Sequence, residues 1–344
     1  MERGTVVNPY RYKLSIVTAN TNEKHFTLPM LESVYRTVKK AVPFEFWIVD
    51  NASRDGSVEA INSQFPEVKV ICNARNAGFT EANNQAIREC TGEYVFCLNP
   101  DTICKEGAVD RLVEYLDEHP TVGIVGSKLL NSDGTLQSSC RNFMTTRRLI
   151  LQHLLPWNKI SPKLAGKISL MYWNHSFTRP VDWVLGASLM IRRECLDQIG
   201  LKDESYFIFH EDSDWCFQAK KAGWKVVFVH DAEIIHHGSS TVGKLWGANL
   251  NIEVYKAQHH FIRKNLGRRE LFWHRTFLTL LLHLRLLKLR LLRTFGRVSE
   301  EDYRTNLDFL HKAINVQRRV QSVDRKPEFR MSAEAGSESG SSKL

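Results

Sequence analysis

Three acidic residues follow an aromatic segment of the sequence, at the predicted start of a helix. In YFIFHEDSDWCFQAKKAGW (206–224) these residues are Glu211, Asp212 and Asp214. The helix dipole favours acids at a helix N-terminus, which is one explanation of the cluster. Two adjacent acids exceed what capping requires, however, and a positioned carboxylate can act as a general base toward a hydroxyl. Glu211 and Asp212 are therefore candidates for acid–base chemistry. Asp214 is expected to face its own helix turn or a neighbouring basic residue.

One isolated carboxylate and two histidines are further candidates, each after an apolar run. Asp101 follows the apolar run of YVFCLNPDT (94–102), and His236 and His237 follow the apolar run of AEIIHHGSS (232–240). A histidine is more often structural than a ligand. One imidazole and two oxygen donors would nevertheless form a partial site for Mg²⁺ or Mn²⁺, with phosphate oxygens as the remaining ligands.

Two polar loops are candidates for binding a nucleotide. Asp50 ends the apolar run of WIVDNASRDGS (47–57) and can accept hydrogen bonds from a base or a ribose; the alternative is a turn or cap residue. Gly78, in NARNAGFTEANNQAI (73–87), precedes a predicted helix whose N-terminus favours a diphosphate. Neither GxGxxG nor GxxxxGK[ST] occurs, which disfavours a dehydrogenase and excludes a P-loop NTPase.

Alternating strands and helices must position these residues. The apolar runs predict strands over 14–18, 44–49, 68–72 and 94–98, and helices over 28–42, 58–65, 81–90 and 108–118. Such βαβ units form a parallel sheet, whose ligands bind beyond the carboxyl ends of the strands. Polar residues stand at those ends: Asn20, Asn22, Asp50, Asn73, Arg75 and Asp101. Further along the chain we expect helices over 212–222 and 253–265 and a strand over 225–229.

The net charge of +9 is concentrated in two segments that lack acidic residues, 134–181 and 271–299. Together they hold thirteen Lys and Arg residues, which is more than the net charge of +9 requires. Both segments are rich in Leu, Ile and aromatic residues. Basic residues combined with apolar ones favour an anionic membrane surface. Nucleic acid would favour a basic face that is mostly polar, so no nucleic-acid partner is expected. The alternative is ordinary helices whose basic face meets water.

The second of these segments predicts one long amphipathic helix. Apolar residues recur at helical spacing, opposite a basic and polar face of Arg275, Thr279, His283, Arg290, Arg293 and Arg297. The apolar residues are Phe277, Leu280, Leu281, Leu284, Leu287, Leu291 and Phe295. A membrane-spanning helix needs about 20 apolar residues with few charges, and Arg285, Lys288 and Arg290 interrupt this one. We predict a helix that lies in the membrane interface; the alternative is a helix packed in a core or against a partner.

Cysteine usage and the first residues indicate the compartment. The seven cysteines show no CxxC or other ligand spacing, which is typical of a reducing cytoplasm. Met1-Glu2-Arg3-Gly4 lacks the order of a signal peptide. With the basic apolar segments, this predicts a cytoplasmic protein that is peripheral on the inner face of the cell membrane.

Six motifs, taken in order, resemble those of the inverting family-2 glycosyltransferases with a GT-A fold, especially the bacterial rhamnosyltransferase-like branch. They are IVDNASRDGS, NARNAGFTEANNQAI, FCLNPDT, WVLGASLMIRRE, HEDSDWCFQAKKAGW and IIHHGSS, within residues 12–265. The ordered set is far more specific than any single motif. The resemblance implies an α/β fold of the GT-A type, in which helices flank a Rossmann-like mixed, mostly parallel sheet. A C-terminal amphipathic helical extension is expected to follow.

The resemblance also implies roles for individual residues. Asp212 would be the catalytic base, and the acceptor and sugar side would hold Trp183, Gly186 and Glu211. Asp101 would be the final acid of the DxD motif and would hold a divalent metal, Mg²⁺ or Mn²⁺, together with His236. The other residues implied on the nucleotide side are Thr18, Asn20, Asp50, Arg75, Asn76, Gly78 and Asn99.

Two positions depart from the family pattern. Ala19 stands where an aromatic residue is usual near the end of the first strand, so one stacking wall of the base pocket is expected to be missing. Asn99 replaces the first acid of the DxD motif, and its amide oxygen can ligate a metal but brings no charge. Weaker metal affinity is the expected consequence.

The resemblance implies transfer of a sugar from a nucleoside diphosphate, with dTDP-rhamnose as the leading candidate, to a lipid-linked or polysaccharide acceptor of the cell envelope. A sugar nucleotidyltransferase would need a Gly-rich, Arg-containing loop after the first strand, which VTANTNE lacks. A degenerate glycan-binding or scaffold protein would have lost its acids, whereas Asp101, Asp212 and His236 remain.

The expected domains follow from the same comparison. A catalytic domain would span 12–240, with a nucleotide-sugar half over 12–130 and an acceptor half over 131–240. A helical membrane-associating extension would span 241–297 and a further helical segment 298–325. The low-complexity end of the chain, 326–344, is expected to be disordered.

Overall fold

The first part of the chain alternates strands and helices as its apolar pattern predicts. The computed structural model describes residues 9–154, 169–170, 173–238 and 250–318. The first elements are β1 (Tyr12–Asn20), α1 (Lys24–Thr37), β2 (Phe44–Asn51), α2 (Ser57–Gln64), β3 (Lys69–Asn73), α3 (Phe79–Glu89), β4 (Gly92–Leu98), β5 (Thr102–Cys104) and α4 (Ala108–Glu118). The four predicted strands are confirmed. The predicted helix over 28–42 is wrong at both ends, because α1 begins at Lys24 and the extended backbone of Val38 stops it.

The following elements complete the sheet and carry the acidic cluster. They are β6 (Val122–Leu130), β7 (Leu136–Gln137), β8 (Cys140–Arg141), α5 (Thr146–Leu154), β9 (Arg179–Pro180), β10 (Trp183–Val184), β11 (Ser188–Arg192), α6 (Arg193–Ile199), α7 (Glu211–Lys221) and β12 (Lys225–His236). Helix α7 confirms the helix predicted over 212–222. The strand predicted over 225–229 is much longer than expected and carries the chain to His236.

The main sheet is mixed and mostly parallel, as expected. Its strand order is β3-β2-β1-β4-β11-β6-β12-β5, with the short strands β7 and β9 pairing β6 and β12. Strands β11 and β5 run antiparallel to their neighbours, and the other six strands of the row are parallel. The carboxyl ends of β1, β2 and β4 therefore meet at one edge, where Asn20 is the partner of Asp50 in register.

Helices cover both faces of the sheet, so each inner strand is buried on both sides. In β1, Leu14 and Ile16 enter one core, and Val17 enters the other. Alternate side chains of a strand point to opposite faces, and strands of a parallel sheet are apolar on both. This explains why the strands appear in the sequence as continuous apolar runs.

Four helices form a separate bundle beside the sheet. Helix α5 packs with α8 (Leu250–Phe261), α9 (Arg268–Thr294) and α10 (Glu300–Arg318), and a π-helical turn over Ile262–Leu266 joins α8 to α9. Helix α8 and the turn confirm most of the helix predicted over 253–265. Residues 241–249 of the expected extension, 319–325 of the last helical segment and the expected tail 326–344 lie outside the described residues.

Helix α9 is apolar on two opposite faces, which corrects one expectation. Its buried residues are His274, Leu278, Leu282, Leu286 and Leu289. The exposed side carries a second apolar row, named here the α9 stripe: Trp273, Leu280, Leu284, Leu287, Leu291 and Phe295. Spacings of three, four and seven residues place this row on one face. The predicted polar face opposite the stripe is wrong, because leucines occupy it and pack in the bundle. Within the part of the chain that is described, no helix is long and apolar enough to cross a membrane.

Candidate active site

The carboxyl edge of the sheet brings Asp101 and His236 together. Strand β12 runs antiparallel to β5 and pairs His236 with Thr102, the residue after Asp101. The His236 Nε2 lies 3.4 Å from Oδ1 of Asp101, whose side chain is only 1% exposed. Both carboxylate oxygens of Asp101 and the Oδ1 of Asn99 are buried and accept no hydrogen bond. The imidazole of His236 thus lies beside a buried carboxylate whose oxygens have no hydrogen-bond donor.

Hydrogen bonds to Gln137 fix which nitrogen of His236 carries the proton. The amide nitrogen of Gln137 donates to Asn131 Oδ1 (3.0 Å) and to the backbone carbonyl of His236 (3.2 Å), so its Oε1 must accept from His236 Nδ1 over 2.6 Å. In the neutral imidazole, the lone pair of Nε2 therefore faces the Asp101 carboxylate. A second hydrogen-bonding partner of this kind is typical of a metal-ligating histidine.

Asp101 and His236 fit a divalent cation that takes its remaining ligands from a substrate. Two acceptors face each other with nothing to bridge them, an arrangement that a cation resolves. In the described ranges no three His, Cys, Asp or Glu residues cluster as a metal site. Asp101 and His236 could thus hold Mg²⁺ or Mn²⁺ only with further oxygen ligands, which a diphosphate supplies.

The residues expected at the end of β1 are bonded within the fold. Asp50 accepts from Asn20 Nδ2 (2.7 Å) and from the backbone N–H of Ser53 (2.9 Å). Asn20 Oδ1 also accepts from the hydroxyl of Thr27, and the Thr18 hydroxyl donates to the carbonyl of Leu98. All three predicted residues lie at the expected edge. Their network holds the ends of β1, β2 and β4 in place.

The loop before α3 packs against Phe207, a residue that was not predicted to belong to the site. Gly78 has φ of +88°, and a Cβ there would lie 2.7 Å from the ring of Phe207. The side chain of Asn76 accepts from the N–H of Gly78 (2.9 Å), which closes the turn. Arg75 is exposed and pairs with Glu81. Only a glycine fits this close approach, which explains its place before the helix.

The acidic cluster begins α7 after two residues in the left-handed region. Phe209 and His210 have φ of +67° and +64°. Such strain in residues other than glycine is concentrated at functional sites. Asp212 follows directly: its Oδ2 accepts from the N–H of Gly186 (2.8 Å) and its Oδ1 from the N–H of Ser213 (2.7 Å). Asp214 instead pairs with Lys264 (2.8 Å), which confirms that it faces a basic residue.

Glu211 and Asp212 share one buried environment. Burial and the neighbouring charge of Asp212 raise the pKa of Glu211 to about 8. Burial also raises the pKa of Asp212, against the two N–H groups and the positive charge of Lys202. Lys202 is itself buried, between the rings of Phe79 (5.1 Å) and Trp215 (5.2 Å). Since Asp212 accepts two hydrogen bonds and Glu211 Oε2 accepts none, the proton resides on Glu211 near neutral pH.

Asp212 lies in the wall of a cavity of about 400 Å³, which is also lined by residues of the helical bundle. Trp183 lines it as well and donates its indole N–H to the carbonyl of Asn142 (3.1 Å). Helix α8 contributes Val254, Gln258 and Phe261, and α5 contributes Arg148, Leu151 and Gln152. No sequence pattern predicted this wall, apart from the absence of acidic residues over 134–181. A substrate hydroxyl in this cavity would reach the carboxylate of Asp212.

Two glycosyltransferase family models match overlapping parts of the chain. The model for glycosyl transferase family 2 matches residues 15–176, and the model for glycosyl transferase family group 2 matches residues 165–298. The chain belongs to glycosyltransferase family 2. The resemblance noted in the sequence is thereby confirmed, and the matched ranges include every predicted site residue.

Curated relatives of this family-2 glycosyltransferase include rhamnosyltransferases. The N-acetylglucosaminyl-diphospho-decaprenol L-rhamnosyltransferase of Mycobacterium tuberculosis is 28% identical over 252 residues, which cover 67% of this chain and 78% of that protein. The dTDP-rhamnosyl transferase RfbF of Shigella flexneri is 23% identical over 229 residues, 63% of this chain and 70% of the relative. The family-2 glycosyltransferase is therefore rhamnosyltransferase-like.

Solved structures agree on the GT-A fold of the family-2 glycosyltransferase. The mannosyltransferase PcManGT from Pyrobaculum calidifontis, in complex with GDP-Man and Mn²⁺, is 16% identical and superposes with a TM-score of 0.51. The match covers 90% of this chain and 86% of that one. GalNAc-T7, with UDP, GalNAc and Mn²⁺, has a TM-score of 0.50 over 73% of this chain and 50% of its own.

Proposed function

We propose that the chain is an inverting glycosyltransferase that moves a sugar from a nucleoside diphosphate to a hydroxyl of a lipid-linked or polysaccharide acceptor in cell-envelope glycan synthesis. The observation that carries the proposal is the carboxylate of Asp212 in the wall of the cavity. A two-residue backbone segment links this carboxylate to the sheet edge that holds Asn99 and Asp101. Gly186 bonds Asp212, and the next residue, Ala187, accepts from the N–H of Asn99. The name of the Shigella flexneri relative supports dTDP-rhamnose as the donor, and that of the Mycobacterium tuberculosis relative supports L-rhamnose as the sugar.

The chemical step that this geometry supports is a single displacement. Asp212 removes the proton of the acceptor hydroxyl as that oxygen attacks the anomeric carbon. The bond from this carbon to the diphosphate breaks, and the nucleoside diphosphate leaves with the bonding electrons. One carboxylate suffices, because the leaving group needs no proton. Attack opposite the leaving group inverts the configuration.

The donor diphosphate is assigned to the edge formed by Asp101, His236 and Asn99. The chemistry that bound Mg²⁺ or Mn²⁺ supplies there is neutralisation of the negative charge that develops on the diphosphate. The network of Asp50 and Asn20 and the loop of Arg75, Asn76 and Gly78 border the nucleotide. Glu211 holds its proton near neutral pH and can donate a hydrogen bond on the sugar side.

The α9 stripe supports a peripheral position at the cytoplasmic face of the membrane. Its six large apolar side chains are each at least half exposed, and exposed Arg285, Lys288 and Arg290 lie on the same helix. An apolar row beside basic residues favours binding to an anionic bilayer surface. A lipid-linked acceptor would be presented there.

A screen of nucleotide-sugars tests the proposed function. Thermal stabilisation and donor hydrolysis would be measured for dTDP-rhamnose and for UDP- and GDP-sugars, each with Mn²⁺, with Mg²⁺ and with EDTA. We expect metal-dependent stabilisation by one class of donor. Stabilisation by none of them would identify the chain as a degenerate member of the family.

A further inference from the structure

The cavity beside Asp212 contains a guanidinium without an acidic partner. Arg141 lies in β8 and pairs with Trp183 of β10 across the strands, and its guanidinium carbon is 5.7 Å from the Trp183 ring centroid. Its Nε is buried and donates no hydrogen bond. Among the residues that the structure describes, no carboxylate forms an ion pair with Arg141.

The other charges of the cavity do not neutralise Arg141. Arg148 is bound to Asp182 over 2.6 Å and to the carbonyl of Phe143 over 2.9 Å. His210 is neutral, because burial, and to a lesser degree the charge of Arg141, lowers its pKa to about 4. Asp212 is the acid of the wall, and burial raises its pKa while the positive charge of Arg141 acts in the opposite direction. The two side chains nevertheless form no ion pair, and both oxygens of Asp212 accept backbone N–H groups. Within the described residues, Arg141 therefore keeps an unpaired Nε–H donor in the wall of an otherwise largely apolar cavity.

A half-buried cation in an apolar cavity is unfavourable until an anion binds it. Guanidinium groups bind phosphate with two parallel hydrogen bonds. Resting on the proposed function, we propose that Arg141 binds the diphosphate of a lipid-linked sugar acceptor. It is thus a specificity-determining residue that distinguishes this acceptor from an uncharged glycan.

The apolar lining of the cavity suits a diphosphate that carries a lipid chain. Apolar side chains of α5 and α8, Leu151, Val254 and Phe261, line the cavity next to the guanidinium. Helix α5 also packs against α9, which carries the α9 stripe. A lipid chain attached to the diphosphate would lie against the apolar side chains of the cavity wall.

Binding of decaprenyl diphosphate, in detergent micelles, tests the proposal without requiring turnover. We compare the full-length chain with Arg141→Gln and with Arg147→Gln, a matched control on the exposed side of α5. Arg141→Gln is expected to bind about 10- to 100-fold more weakly, as loss of a charge-assisted contact predicts. Arg147→Gln is expected to bind as the wild type does, and uncharged decaprenol is expected to bind equally weakly to all three proteins. Thermal unfolding checks that Arg141→Gln is folded.

The arms of this experiment separate the alternatives. Unchanged binding of decaprenyl diphosphate to Arg141→Gln overturns the proposal. If binding is unchanged while turnover of every acceptor falls and the pH profile shifts, Arg141 acts only through Asp212, and the proposal is overturned as well. Loss of binding to phosphatidylglycerol vesicles in Arg141→Gln also overturns it, since the residue would be a general membrane contact. Arg141-dependent binding in a wild type that transfers no sugar from any donor would support this site while refuting the proposed function.

Discussion

The backbone N–H of Gly186 donates to Oδ2 of Asp212 over 2.8 Å, which ties the loop before β11 to the first turn of α7. The same loop bonds the N–H of Asn99 through the carbonyl of Ala187. The acid assigned as base and the residues assigned to the metal are therefore held by one short segment. Such rigid support is what positioning of two reacting groups requires.

Gly186→Ala should lower turnover without unfolding the protein. A Cβ there would lie 3.5 Å from Asp212 Oδ2 and 3.4 Å from its Cβ, in ordinary contact. The added methyl group would cover part of the carboxylate on the acceptor side, and we expect kcat to fall about tenfold. Steady-state kinetics measure this, with the KM for the donor unchanged. An unaltered kcat would show that the acceptor approaches from elsewhere.

Gln137→Ala should weaken metal binding although Gln137 would not touch the metal. Loss of its Oε1 frees the proton of His236 to move to Nε2, the nitrogen that faces Asp101. Loss of such a supporting hydrogen bond lowers metal affinity about 10- to 100-fold. The Mn²⁺ dependence of donor binding, measured by calorimetry, checks this. His237→Ala is the matched control, because the imidazole of His237 bonds Ser132 and stacks on Phe26. Equal effects of both variants would refute the assignment.

Glu211→Gln should change how stability depends on pH. In the wild type the pKa of Glu211 rises from 4.5 to about 8 on folding, mainly by burial. The folded state therefore binds the proton more tightly, and stability is lost as the pH rises from about 4.5 to about 8. The slope is at most about 1.4 kcal/mol per pH unit for this one group.

Denaturant unfolding between pH 5 and pH 8 measures that slope. Compared with the wild type, Glu211→Gln, whose amide cannot ionise, should lose less stability as the pH rises, and Glu194→Gln, which removes an exposed acid, should follow the wild type. A slope for Glu211→Gln as steep as that of the wild type would mean that Glu211 is ionised in the folded protein.

Replacing two leucines of the α9 stripe by serine should release the protein from membranes. Leu284 and Leu287 are more than half exposed, so Leu284→Ser/Leu287→Ser removes apolar surface without opening the core. We expect flotation with phosphatidylglycerol vesicles to fall strongly, because apolar insertion and charge attraction act together. Leu136→Ser, at an exposed leucine on β7, should float as the wild type does. Undiminished flotation of the double variant would assign membrane binding to another surface.

The order of strands and helices in the first half could be predicted from the sequence because each buried strand is a continuous apolar run. The same pattern located Asp50 and Asp101, since Asp50 directly follows such a run and Asp101 follows one after two residues. Strand β6 was missed because GIVGSKLL contains glycines and a lysine that dilute the signal. Gly126 is nevertheless required there, as a Cβ would lie 2.5 Å from Val184.

The remaining site residues depend on contacts between distant segments, which periodicity does not reveal. Gln137 meets His236 across 99 positions of the chain, and Arg141 meets Trp183 only because β8 pairs with β10. The two apolar faces of α9 were likewise misjudged, because a helix pattern shows where leucines lie but not that α10 covers half of them. Sequence motifs located the acids, and tertiary pairing supplied their partners.

Asp212→Asn tests the central claim most directly. Donor binding and sugar transfer would be measured side by side for the wild type, for Asp212→Asn and for Asp197→Asn, an exposed acid on α6. The amide keeps the shape of the side chain but cannot take the proton of the acceptor. We predict that Asp212→Asn binds the nucleotide-sugar as the wild type does and transfers it at least about 10³-fold more slowly. Transfer by Asp212→Asn at a rate near that of the wild type would contradict the assignment of Asp212 as the base.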